Sequence, residues 1–129
     1  MTRQDLDIAY FRGRLEETRE SLRSQIQQIE QDYDPESGAA TEGYGVNNHP
    51  ADDATDLFDR QRYRAIENDL SEELRAVEQA LERIENGTYG ICVVSGQPIP
   101  IERLEARPAA ATLVEYQDEY DRQERGAGR

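Results

Sequence analysis

Asn86–Pro108, NGTYGICVVSGQPIPIERLEARP, is the stretch from which the rest of the chain is read. Asn86-Gly87 is a helix stop, because glycine supplies the left-handed backbone that closes a helix. Ile91–Val94 and Gln97–Ile101 are short apolar segments on either side of Ser95-Gly96, the pattern of a small hairpin or knuckle. Pro108 then opens a short helix, predicted over Ala109 to about Gln123, with Leu113, Tyr116, Tyr120 and Val114 on one side. Residues 87–123 therefore form a small lobe, and 124–129 are predicted to be a disordered tail.

Upstream of Gly87 the sequence predicts helix in two long runs. The second run spans Pro50–Asn86, with Tyr63, Ile66, Leu70, Leu74, Val77, Leu81 and Ile84 spaced by threes and fours. Pro50 suits a first helical position, where its missing N–H costs nothing. The first run spans Arg3 to about Asp32, with Ile8, Phe11, Leu15, Thr18, Leu22 and Ile29 on a heptad seam. Gln25 interrupts that seam and Ile26 patches it. At 1.5 Å per residue the two helices are about 45 and 50 Å long. Between them, Tyr33–Asn48 carries Pro35, Gly38, Gly43 and Gly45 and no apolar period, so it is a loop. Two seams of similar length joined by one loop fold back most simply as a long antiparallel coiled-coil hairpin over 3–86. The expected fold is mostly α, with an acidic loop and tip at 33–56 and the lobe at the base.

At 129 residues the chain suits one small domain, and 36% hydrophobic against 33% charged residues leaves little material for a thick core. The formal charge is −13 and every basic side chain is arginine. Such a balance disfavours binding to phosphate backbones, which requires clustered cations. A basic protein surface is the better partner. No apolar run approaches the roughly 20 residues that span a bilayer, so no membrane partner is expected and the location is expected to be cytoplasmic. One cysteine excludes an internal disulfide framework. With one His, one Cys and no phosphate-cradling glycine loop, catalysis is not expected.

The knuckle itself carries a resemblance. Through Tyr89, Gly90, Cys92, Ile99, Arg103, Leu104, Glu105, Ala106 and Pro108 it resembles the DksA/TraR family of zinc-finger-type bacterial transcription factors. The wording from Gly87 to Cys92, with Ser95 following, is similar to the YteA-like branch. The resemblance covers roughly residues 44–120. Its four zinc positions fall on Cys92, Ser95, Leu113 and Tyr116. Only the first binds zinc well, since leucine has no lone pair and serine is a poor ligand for this ion. The zinc finger is thus degenerate, the family zinc is expected to be lost and no cofactor is expected. Cys92 then acts as a small buried hydrophobe; the alternative is a zinc site shared between chains through Cys92. Leu113 and Tyr116 are expected to pack against Cys92, Val94 and Ile99, and the lobe to lean on the hairpin through Tyr89, Leu104 and Tyr120.

The resemblance also implies a partner. Family members insert the hairpin into the secondary channel of RNA polymerase and alter initiation without reading DNA sequence. Their tip motif, Asp-Pro-x-Asp-x-Ala, falls on His49-Pro50-Ala51-Asp52-Asp53-Ala54. Asp52 is the main candidate for the working acid, Ala54 a small contact, and Asp53 a partial replacement for the charge lost at His49. Helix-dipole complementarity alone also favours acids at these positions, and His49 suits a capping or solvent-exposed place. Arg103 and Arg107 resemble lobe arginines that touch the polymerase rim, or pair internally with Glu102 or Glu105; both readings stand. The expected function is transcription regulation through core RNA polymerase. The alternative is a non-catalytic interaction or structural protein, linked to sporulation or stress, that uses the hairpin on another partner. An exposed heptad seam can pair between chains as readily as within one, so the oligomeric state is open.

Overall fold

Asp7 sets the start of the first helix. Its carboxylate accepts the Tyr10 N–H at 3.2 Å and its carbonyl accepts the Phe11 N–H at 3.2 Å, satisfying donors that a helix N-terminus leaves free. The computed structural model describes residues 3–32 and 50–127, with side chains over 3–32 and 57–124. Helix α1 spans Ile8–Asp32, so Arg3–Leu6 is not helical as the sequence pattern suggested. Helix α2 spans Pro50–Asn86. It ends in a Schellman motif: Gly87, at φ 75°, donates to the Ile84 carbonyl at 3.2 Å and Thr88 to the Arg83 carbonyl at 2.8 Å. The two long helices form a hairpin.

Three short elements follow. Helix α3 is Ile101–Ala106, started by Pro100 and closed before Pro108, whose ring disfavours helix at the residue ahead of it. A 3₁₀ turn over Val114–Tyr116 leads into helix α4, Gln117–Ala127. The last helix therefore begins later than Ala109 and runs past Gln123, because Ala109–Leu113 is spent on contacts with the knuckle rather than on a helical turn.

By packing, the chain divides into two compact units, Met1–Thr18 with Ala76–Arg129, and Arg19–Arg75. In the first, Phe11, Leu15, Val77, Ala80 and Ile84 are buried together with Tyr89, Cys92, Ile99 and Leu104. Burying side chains of this size contributes about 1.5 to 3 kcal/mol each. The second is thinner. Leu22 is buried there, while Ile26, Ile29, Tyr63, Leu70 and Leu74 are half-buried. Ile66, expected in the seam, is exposed, and Glu67 is half-buried in its stead. A strict four–three alternation through Tyr63, Glu67, Leu70, Leu74 and Val77 explains the exchange: the heptad geometry is kept at the expense of residue type.

Candidate functional site

The lobe is built on one minimal hairpin. Ile91 and Pro98 make an isolated antiparallel bridge, Cys92 donates to the Gln97 carbonyl at 2.8 Å, and Ile99 donates to the Gly90 carbonyl at 2.8 Å. Gly96 turns the chain at φ 74°. The segment ahead of α1 straps this hairpin: the Arg3 guanidinium donates to the Gly90 carbonyl at 2.9 Å and to the Ile99 carbonyl, and pairs with Asp5 at 2.6 Å. Leu6 packs beside it. Gly90 is required twice over, by its φ of 84° and because a Cβ there would lie 2.7 Å from Leu6 Cδ1.

Tyr89 joins the hairpin to its surroundings. Its hydroxyl donates to the Pro108 carbonyl at 2.7 Å, and its ring lies 5.7 Å from that of Phe11. Burial pushes its pKa up to about 12, against the pull of Arg83 and Arg14 and with some help from Glu105. On α3, Glu105 accepts from the Tyr10 hydroxyl at 3.1 Å, and its backbone carbonyl accepts from Arg14 at 2.7 Å. Arg103 donates to the Thr112 carbonyl at 2.8 Å and to Gln117 Oε1 at 2.9 Å, and Thr112 Oγ1 donates to the same oxygen at 3.1 Å. This network lets the polar Thr112 be fully buried. Tyr120 donates to Gln79 Oε1 at 3.4 Å.

Cys92 is buried between these layers, and its sulfur accepts the Ser95 N–H at 3.4 Å. Burial raises its pKa, but hydrogen bonds from the Ser95 side chain and from the Ser95, Leu113 and Val94 backbone outweigh burial and hold the thiol below its ordinary value. Backbone donors from both sides of the lobe therefore converge on one sulfur.

A family model, the prokaryotic dksA/traR C4-type zinc finger, matches residues 87–112. YteA of Bacillus subtilis is 40% identical over 84% of this chain and 47% of its own length, so the chain spans about half of that relative. The RNA polymerase-binding transcription factor DksA of Caulobacter vibrioides is 33% identical over 94% of this chain and 80% of its own length. The chain belongs to the DksA/TraR family. The solved structure of the transcription factor DksA2 from Pseudomonas aeruginosa superposes with a TM-score of 0.69 at 25% identity, over 95% of this chain and 88% of that one.

Against the DksA/TraR frame, the C4 positions do not fit zinc. Of Cys92, Ser95, Leu113 and Tyr116, only Cys92 offers a thiolate, and one thiolate does not close a tetrahedral zinc site. Among the described residues no group of three or more His, Cys, Asp or Glu could hold a metal ion. Leu113 and Tyr116 are half-buried rather than core; the buried places are taken by Tyr89, Ile99, Leu104 and Thr112. The contacts expected of Tyr89 and Tyr120 with the long helices are present, and Leu104 is fully buried.

The other family positions separate. His49 lies outside the described residues, and Asp52, Asp53 and Ala54 are placed only as backbone within α2. Arg103 and Arg107 differ in environment: Arg103 is half-buried and donates into the Thr112–Gln117 network, whereas Arg107 is exposed. The Arg3 strap escaped the sequence reading, because a single arginine ahead of a helix cap carries no periodic signal.

Proposed function

We propose that this chain is a transcription regulator that binds RNA polymerase through its secondary channel, with Asp52 as the working acid of the hairpin and Asp53 and Ala54 beside it. The observation that carries this reading is the 33% identity, over 94% of the chain, to a DksA described as RNA polymerase-binding. The likeness of fold to DksA2 supports it. A strongly anionic segment is drawn along a positively lined channel and perturbs the metal surroundings at its end. Exposed Arg107 is the better of the two lobe arginines for a rim contact, since Arg103 is already engaged. We further propose that the lobe holds no zinc, its closure resting on hydrogen bonds and packing.

The test is binding of the purified chain to core polymerase, with Asp52→Ala and a known secondary-channel factor as competitor. Saturable, competed binding and a transcriptional effect lost in Asp52→Ala are expected. Absence of binding at micromolar concentration would overturn the reading. A second reading, a non-catalytic interaction protein with another partner, is favoured by His49 standing at the first tip acid. A pull-down that returns another protein and no polymerase subunit would select it.

A further inference from the structure

Leu57 and Phe58 are 58% and 71% exposed on α2. The half-buried line Asp59, Tyr63, Glu67, Leu70 and Leu74 marks the face that α2 buries in this unit. At 3.6 residues per turn, Phe58 falls about 140° round the helix from that line and Leu57 about 120° round on the other side. The seam therefore reaches neither. Scattered exposed apolar residues are ordinary, but two adjacent large ones on the solvent side leave unused contact area.

Charge says what covers them. Between Arg23 and Arg60 the sequence holds no lysine or arginine, and Asp52, Asp53, Asp56 and Asp59 flank the pair. A second copy of the chain would set these acids against themselves at a net charge of −13 per copy. Arg60, Arg62 and Arg64 follow immediately, so the pair marks the boundary of the anionic stretch. We propose that Leu57 and Phe58 are the apolar anchor of the partner contact, seated in an apolar socket on a basic protein surface. This rests on the polymerase reading, which identifies that surface as the enzyme's. The acids steer association, and the anchor sets residence time, as buried aromatic side chains do at interfaces.

The test is the rate and equilibrium of binding of the full chain to core polymerase for wild type, Phe58→Gln, Leu57→Gln and Asp52→Ala. Both exposed positions accept glutamine without loss of helicity or Tm, which circular dichroism checks. Phe58→Gln should weaken Kd by about tenfold or more, mainly through faster dissociation and with the salt dependence of wild type kept. Wild-type affinity in Phe58→Gln and Leu57→Gln, with Asp52→Ala impaired, would overturn the anchor and leave the polymerase reading standing. Failure of wild type to bind would overturn both. Concentration-dependent self-association abolished by Phe58→Gln would make a second copy the occupant and overturn the basic partner.

Discussion

Two side chains close the lobe by different chemistry, and each can be isolated. Arg3 supplies a charge-assisted clamp on two backbone carbonyls. Arg3→Met keeps the apolar stem and removes the donors, so it should cost about 2 kcal/mol in urea unfolding, with Arg3→Ala somewhat worse because packing against Gly90 is also lost. Tyr89 acts through its neutral hydroxyl. Since folding raises its pKa from 10.0 to about 12, the stability it contributes is complete below pH 10 and is lost as pH rises through 12. Tyr89→Phe should lower stability at neutral pH by about 1 kcal/mol and flatten its fall between pH 10 and 12. Tyrosine absorbance should show an ionisation near pH 12 that is missing in Tyr89→Phe.

At the scale of elements, heptad geometry prevails over residue type where the two conflict. The apolar spacing alone put Ile66 in the seam, but a helix cannot shift one residue without losing Leu70 and Leu74 from it, so Glu67 takes the position. Glu67→Leu should therefore stabilise the protein by about 1 kcal/mol, read as a higher urea midpoint with an unchanged slope. A fall in the midpoint would show that Glu67 has a partner worth more than burial. The helix ends were legible because capping is local: Asn86-Gly87 closed α2 where expected. The start of α1 was not, because an acid three residues before an amide is a weak signal against an uninterrupted polar–apolar pattern.

At the scale of the molecule, the lobe motif and the paired helical runs were enough to indicate a mostly α hairpin with an appended knuckle. The filling of the knuckle was not legible. Leu113 and Tyr116 looked like core by hydrophobicity, yet Thr112 is buried in their place because Arg103 and Gln117 satisfy its hydrogen bonds. With one thiolate at the four family positions, a chelator should leave Tm unchanged and added zinc should not raise it. Scanning calorimetry with and without EDTA checks this, and a drop of several degrees would mean that metal is held after all. Added salt should raise Tm instead, since a net charge of −13 repels itself.

The clamp on Gly90 and Ile99 also has a place in time. Its donor precedes its acceptors by 87 and 96 residues, so it belongs to the slow, high-contact-order part of folding. On the ribosome, Arg3 and Leu6 emerge before Ile99 and have nothing to hold until it has been made. The residues that finish the lobe are thus made before the knuckle they close, and the knuckle must wait, half-assembled, for the strap to return to it.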